Sequence, residues 1–318
     1  MKKASIILMI IASSVMLLGL LLFTAAMSAS GWDFSKLSSS ELQEVSYEFE
    51  GEITDISVSI DTEDISFLPS DNGKTKVVCY ESEGIGHHVT LEGTTLKISS
   101  NDTRKWYNFA FNFGKSRIAV YLPETTYASL SLRADTSNVS LPPNLYFSSV
   151  DITVSTGDVS SYSKSLSTKI TSSTGDVILL GTESQTLEIS TSTGDVSITG
   201  AKHESVSIRV STGDVKLTDL TCANFVTKGS TGELSLTRVI ASGIFSIERS
   251  TGDVSFDSCD AAEIYVVTDT GDVKGSFASD KFFHAETSTG DVNVPKFTSG
   301  GICEIKTGTG DISITVNN

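Results

Sequence analysis

A short motif, Ser-Thr-Gly-Asp-Val, recurs from residue 135 to the C-terminus of this 318-residue chain. Its copies are centred on nine glycines spaced 18, 19 or 20 residues apart, and a degenerate copy around Ser137 precedes them. These glycines are Gly157, Gly175, Gly194, Gly213, Gly232, Gly252, Gly271, Gly290 and Gly310. A fixed period near 20 residues is typical of a solenoid, in which each repeat forms one coil that stacks on its neighbours.

Apolar residues recur at four positions of each repeat, seven and five residues before the glycine and two and four residues after it. In the repeat of Gly194 they are Leu187, Ile189, Val196 and Ile198. They alternate with polar residues, which is typical of strands with one buried face, and helical spacing is absent. The pattern predicts an all-β fold, a right-handed parallel β-solenoid whose coils of about 19 residues pair in chain order.

The motif itself is expected to form the corner of each coil. Glycine at positive φ allows the change of direction without a Cβ clash. By strand alternation the threonine before each glycine should face inward. The aspartate after it should point outward and accept a hydrogen bond from its own corner. Nine carboxylates would then stack along one edge, either without metal or with weak calcium binding, since one carboxylate per coil supplies too few oxygens: Asp158, Asp176, Asp195, Asp214, Glu233, Asp253, Asp272, Asp291 and Asp311.

Three segments are predicted from the chain order. Residues 1–31 hold a basic start and 22 uncharged residues from Ile6 to Met27, which suit one transmembrane helix better than a cleaved signal segment. Residues 32–125 are expected to be a juxtamembrane segment followed by an irregular β-rich capping region, and residues 126–318 the repeat solenoid. The aromatic run from Trp106 to Phe113 is interpreted as a hairpin over the solenoid end or as a contact patch.

The order of these features resembles a known family. An N-terminal anchor, alternating β-segments, Tyr121-Leu122-Pro123 and then repeated Thr-Gly-Asp-Val corners are similar to the bacterial putative-adhesin domain-of-unknown-function family, which includes LiaG-like envelope proteins. The resemblance covers about residues 45–318. It implies a β-solenoid exposed outside the membrane, sometimes linked to envelope-stress systems, and it implies no residue-level site.

Composition and motif searches predict no catalytic, cofactor-binding or metal-binding residues and no cofactor. The net charge of −16 argues against nucleic acid as a partner. The tandem His87-His88 is interpreted as part of a solvated loop, since zinc needs three or four ligands. Disulfides are not expected among Cys222, Cys259 and Cys303, because they fall in different columns and lie one to several coils apart.

Three functions remain open from the sequence. The first is a membrane-anchored, extracytoplasmic surface module that binds a cell-surface protein or glycan, as an adhesin does. The second is a structural or sensory accessory protein of an envelope-stress system. The third, a polysaccharide-active enzyme, is disfavoured because the outward columns hold no paired carboxylates beyond the corner ladder. The chain is therefore predicted to be a non-enzymatic binding protein of the cell membrane with its C-terminal domain outside.

Overall fold

The computed structural model describes residues 3–32, 42–81, 84–102, 116–296 and 299–317. One helix, α1, spans Lys3–Ala29. From Ile7 to Ala29 it has a hydropathy of 2.6, with none of that window buried against the rest of the protein. It is thus long and apolar enough to be a membrane span or a signal sequence. The aromatic run Trp106–Phe113 lies outside the described residues.

Seven strands form the N-terminal region, in which parallel and antiparallel pairs are mixed. They are β1 (Gln43–Phe49), β2 (Asp55–Ile60), β3 (Asp64–Pro69), β4 (Thr75–Glu81), β5 (Ile85–Glu92), β6 (Thr95–Asp102) and β7 (Arg117–Leu122). Strand β1 pairs with β4, β4 with β7 and β5 with β6, all antiparallel. The antiparallel strands cover the end of the solenoid, where parallel coils would otherwise leave unpaired backbone groups.

Twenty strands form the array that follows, all paired in parallel. They are β8 (Thr126–Thr136), β9 (Val139–Leu141), β10 (Tyr146–Thr156), β11 (Val159–Ser161), β12 (Lys164–Thr174), β13 (Val177–Leu180), β14 (Glu183–Thr193), β15 (Val196–Thr199), β16 (Lys202–Thr212), β17 (Val215–Thr218), β18 (Thr221–Cys222), β19 (Asn224–Thr231), β20 (Leu234–Thr237), β21 (Ile240–Thr251), β22 (Val254–Thr270), β23 (Val273–Phe277), β24 (Lys281–Thr289), β25 (Val292–Asn293), β26 (Gly301–Thr309) and β27 (Ile312–Val316). Each coil combines a long strand with a short one, and the whole forms a β-solenoid of about nine turns.

The core is the interior of the solenoid, and the four apolar columns predicted from the sequence line it. In the coil of Gly194, Leu187, Ile189, Val196 and Ile198 are at most 2% exposed. A fifth inward column, three residues before each glycine, does not show in the apolar pattern because six of its ten members are polar. It holds Ala134, Val154, Ser172, Thr191, Val210, Gly229, Arg249, Thr268, Thr287 and Thr307.

The prediction that the corner threonine faces inward is wrong. Thr193 and Thr212, like the other threonines before corner glycines, are exposed. The buried residue lies two positions earlier, at Thr191 and Val210. The strand bends immediately after that position, so both residues between it and the glycine point outward. Strand alternation therefore stops before the corner and not at the glycine.

The coils at the C-terminal end do not stack in chain order, contrary to the prediction. Strand β26 pairs with both β22 and β24, and β27 pairs with both β23 and β25. The last coil is therefore inserted between the two coils that precede it. The inward side chains give a physical reason: at three of the four inward columns the inserted coil carries Ile305, Ile312 and Ile314 where the outermost coil carries the smaller Ala285, Val292 and Val294. The coil with these larger aliphatic side chains occupies the place with neighbours on both sides.

The N-terminal end shows the same interleaving. Strand β2 lies between β6 and β8, and β3 lies between β7 and β9. A later segment of the chain thus covers the first coil and separates it from the solvent. Both ends of the solenoid place a well-buried coil inside and close over it with another part of the chain.

Candidate functional site

The corner ladder joins consecutive coils through backbone and carboxylate together. Gly194 N donates to Thr212 O at 3.0 Å, and Val196 N donates to Asp214 O at 2.9 Å. Asp214 N donates to Asp195 Oδ1 at 2.8 Å. Seven of the nine ladder carboxylates therefore cap the next coil and not their own corner, which corrects the sequence interpretation: Asp158, Asp176, Asp195, Asp214, Asp253, Asp272 and Asp311. The same bond recurs along the array and follows the inserted coil, from Asp272 to Asp311 and on to Asp291.

Corner glycines are required because the coils approach each other there. The predicted positive φ is confirmed, with values between 129° at Gly157 and 149° at Gly271. A Cβ at Gly213 would lie 2.1 Å from the carbonyl oxygen of Gly194, a distance that no side chain tolerates. The ladder thus joins neighbouring coils through backbone donors to carboxylate oxygens.

The outer side of the long strands is the broadest regular surface of the array. We call it the long-strand face. The side chains that lie eight residues before each corner glycine change from polar to apolar along this face. The first five coils carry small hydroxyl side chains there: Ser129, Ser149, Ser167, Thr186 and Ser205. Towards the other end the same column carries Ile244, Ile302 and Phe282, which are 38%, 48% and 54% exposed.

These three residues form what we call the apolar ridge. Phe282 and Ile302 are direct partners on neighbouring strands, and Ile244 pairs with Glu263 on the strand between. Tyr265, one column away on that strand, donates a hydrogen bond to Glu263 Oε2 at 2.9 Å. Exposed aromatic and aliphatic side chains beside polar partners are typical of contact surfaces.

A shallow groove of about 400 Å³ runs beside the ridge along the bend of the long strands. One wall carries Arg209, Lys228, Glu248 and Val267, and the other carries Ser211, Ser230, Ser250 and Asp269. Lys228 Nζ lies 2.6 Å from Glu248 Oε2. Lys228 and Glu248 neutralise each other's charge, and serine hydroxyls line the other wall. The groove therefore suits a polar, uncharged ligand better than an ion.

A buried arginine lies under the floor of this groove. Arg249 is 3% exposed and occupies the inward space that Gly229, on the neighbouring coil, leaves open. Its Nη2 donates to Thr227 Oγ1 at 3.4 Å, whereas Nε and Nη1 have no hydrogen-bond partner in the described part of the chain. Burial lowers the pKa of the guanidinium, and the charge of Asp214 opposes that shift. The glycine in the neighbouring repeat was the signal that could have located it.

The two histidines singled out in the sequence do not lie in a loop. His87 and His88 are on strand β5, with His87 buried and His88 exposed. The carboxylates of Glu63 and Glu81 lie on either side of the His87 ring. The interpretation as a solvated loop is wrong because the turn precedes Ile85, and strand alternation then directs His87 into the core.

Comparison with known proteins gives a family match over most of the chain and no match among curated proteins. Solved structures with a similar fold include a putative adhesin from Bacteroides fragilis NCTC 9343, 15% identical, covering 86% of this chain and 97% of that one with a TM-score of 0.42. A putative adhesin from Parabacteroides distasonis ATCC 8503 is 10% identical over 87% and 98%, with a TM-score of 0.49.

A third structure, a putative lipid binding protein from Parabacteroides distasonis ATCC 8503, is 16% identical over 86% of this chain and 97% of that one, with a TM-score of 0.43. The Toastrack DUF4097 family matches residues 53–218 and 197–318, a span that includes both the N-terminal region and the array. The resemblance noted from the corner repeat is confirmed at this level, and the chain belongs to the Toastrack DUF4097 family.

Proposed function

We propose that this chain is a membrane-anchored surface module that binds a cell-surface protein or glycan through its long-strand face. The observation that carries the proposal is the apolar ridge, where Phe282 is 54% exposed next to Ile302 at 48%. Other apolar side chains of the described array, such as Leu166 and Ile178 at 43%, are also exposed. Phe282 and Ile302 are the most exposed of them and are direct partners on adjacent strands, which favours a contact surface.

The position of the ridge supports the same function. In coil order it lies at the end of the array opposite to the N-terminal region that follows α1. A rigid rod anchored at one end presents its far end to a partner outside the membrane. The ion-paired groove next to the ridge would add polar contacts of the kind that glycans and protein surfaces both accept.

Hydrolysis or elimination on a polysaccharide is the less favoured function. A general acid in such an enzyme needs a carboxyl pKa raised above its ordinary value. On the long-strand face, the hydrogen bond and charge of Lys306 lower the pKa of Glu304. Glu248 is likewise paired with Lys228 at 2.6 Å. These carboxylates are arranged as ion pairs and not as an acid and a base.

Binding can be tested with the full chain in detergent micelles, against purified cell-wall polysaccharide and immobilised envelope proteins. A double variant, Phe282→Ser with Ile302→Ser, is expected to weaken binding at least about tenfold, since apolar anchors dominate such contacts. The matched control is Leu166→Ser with Ile178→Ser, which removes side chains of similar exposure, 43% each, elsewhere on the array.

Equal binding by the two double variants would show that the apolar ridge is not the binding surface. Turnover of the polysaccharide, lost on the single change Glu304→Gln, would show the protein to be an enzyme. Absence of binding to either class of envelope material would favour a structural or sensory role.

A further inference from the structure

Outside the array, four side chains of types that bind metal ions form a cluster in the N-terminal region. Cys79 and Glu81 lie on β4, His87 lies on β5, and Glu63 immediately precedes β3. A sulfur, a carboxylate oxygen and a ring nitrogen of Cys79, Glu81 and His87 all lie within 4.8 Å of one another. The cluster is enclosed, since the side chains of His87 and Glu63 are 0% and 1% exposed and that of Glu81 is 19% exposed.

Glu63 occupies a position that belongs to glycine elsewhere in the chain. The segment Thr62-Glu63-Asp64-Ile65 matches the corner motif with glutamate in place of glycine. Asp64 Oδ1 still accepts from Asn138 N, so the corner itself is kept. The extra carboxylate is directed inward, where Oε2 accepts from Thr62 N at 3.0 Å and from Ser100 Oγ at 2.9 Å.

Two buried polar atoms in the cluster have no hydrogen-bond partner among the residues that the structure describes. They are Glu63 Oε1 and His87 Nε2, which lie 3.5 Å apart. On the other side of the ring, His87 Nδ1 lies 3.1 Å from Glu81 Oε1. Two ligand atoms about 2.0–2.1 Å from a tetrahedral zinc ion are about 3.3 Å apart. The 3.1 Å between His87 Nδ1 and Glu81 Oε1 is therefore close to the separation of a ligand pair. Cys79, at 0% exposure, supplies the third donor.

We propose that Cys79 Sγ, Glu81 and His87 Nδ1 bind one divalent zinc-like cation, with Glu63 holding the other ring nitrogen. Thiolate, imidazole and carboxylate together are the donor set of zinc and similar borderline ions. A cation at Nδ1 fixes the tautomer, so that Nε2–H donates to Glu63 Oε1, the usual arrangement of a carboxylate behind a metal-bound histidine. Both unpartnered atoms are then satisfied. The fourth position is left to water.

The location gives the cation a structural role. It would join β4 and β5 to the corner before β3 and so fasten the antiparallel cap onto the first coil. Binding requires the thiol to lose its proton, which the cation itself promotes. The proposal goes beyond the surface function, and it departs from the sequence prediction that the chain holds no metal-binding residues.

The test uses the full chain in detergent micelles, stripped with chelator and loaded with zinc or cobalt. One equivalent of zinc should remain after dialysis, with a higher melting temperature than the stripped protein. Cobalt should give a thiolate-to-metal charge-transfer band together with tetrahedral d–d bands. The cobalt spectrum needs no variant, so the proposal stays testable if a substitution prevents folding.

Variants assign the ligands. Cys79→Ser and His87→Gln should each lower zinc affinity at least about 100-fold, and Glu63→Gln should lower it about 10–100-fold while keeping the charge-transfer band. His88→Gln, which changes the exposed neighbour, and Cys303→Ser, which changes a buried array cysteine, should bind as the native chain does. No retained metal and a featureless cobalt spectrum would overturn the proposal. So would equal binding by the native chain and Cys79→Ser, and the cluster would then be a metal-free ion triad.

Discussion

Two buried histidines show how differently the array and the N-terminal region treat a polar side chain. In the array, His203 on β16 faces hydroxyls, with Nδ1 2.7 Å from Ser184 Oγ, and burial lowers its pKa to about 4. In the N-terminal region, burial of His87 also acts to lower the pKa. Hydrogen bonds with Cys79, Glu63 and Glu81 outweigh it and raise the value to about 10. In the absence of a metal ion, these shifts favour the neutral form of His203 and the protonated form of His87.

The difference reflects how each region is built. The array repeats one coil, so its interior is filled by columns of like side chains, and its charged side chains lie mostly on the outside, apart from the buried Arg249 and Lys281. The N-terminal region does not repeat, so single residues from distant segments can meet and compensate one another's charge. Regular stacking suits a long rigid surface, whereas the irregular region is where specific chemistry can be assembled.

The largest effect is expected where coil stacks on coil. Gly213→Ala should lower the free energy of unfolding by at least about 4 kcal/mol, because the new Cβ meets a carbonyl of the neighbouring coil and the backbone stays at positive φ. Gly200→Ala is the control, with positive φ but nothing within 4 Å, and should cost about 1 kcal/mol. Thermal unfolding of the two variants measures the contrast. Equal losses would mean that close stacking does not govern the array.

Acid should act on the array through His203. Its folded pKa of about 4 lies below the ordinary 6.5, so the unfolded chain binds a proton in a window where the native chain does not. Stability from this residue is present above pH 6.5 and is lost as the pH falls towards 4, by up to about 3 kcal/mol. Comparing the pH dependence of unfolding with that of His203→Gln isolates the contribution. Parallel curves for the two proteins would contradict the lowered pKa of His203.

A smaller gain is expected from removing an unpaired buried charge from the array. Arg249 has no ion-pair partner among the described residues, unlike the buried Lys281, which is paired with Asp260. Arg249→Met keeps most of the side-chain volume and should raise the free energy of unfolding by about 1–2 kcal/mol. Arg209→Met, which changes an exposed arginine of the outer face, should stay within about 0.5 kcal/mol. A strong loss in Arg249→Met would show that the guanidinium has a stabilising partner.

The sequence predicts the array better than the region before it, for a physical reason. Columns such as that of Ile189 and Ile208 follow from local alternation, and the corner glycines follow from the steric demands of a turn. The order of the last two coils does not follow from any local pattern, because it depends on the total apolar surface that each whole coil can bury. The contacts of Glu63 with His87 join segments far apart in the sequence, and no periodic pattern reports them.

The smallest effect is expected at the corner carboxylates. Asn138 Oδ1 already accepts from Asp158 N at 2.9 Å, just as the aspartates accept along the ladder. Asp195→Asn should therefore change the free energy of unfolding by no more than about 0.5 kcal/mol. Calcium at about 1–10 mM should shift the melting temperature little, since each coil offers one carboxylate to an ion that prefers 6–8 oxygens. A large shift that the double change of Asp195 and Asp214 to Asn abolishes would make the ladder a calcium site.

The central claim, a binding surface outside the membrane, is tested most directly by labelling intact cells with a membrane-impermeant maleimide. The four native cysteines are buried in the protein, and burial raises the pKa of Cys222 and Cys303 to about 12, so they should not react. Lys216→Cys places a thiol on an exposed outward column of the array. The account predicts that this variant is labelled in intact cells while the native chain is not. Labelling of Lys216→Cys only after lysis would place the array inside the cell and contradict the account.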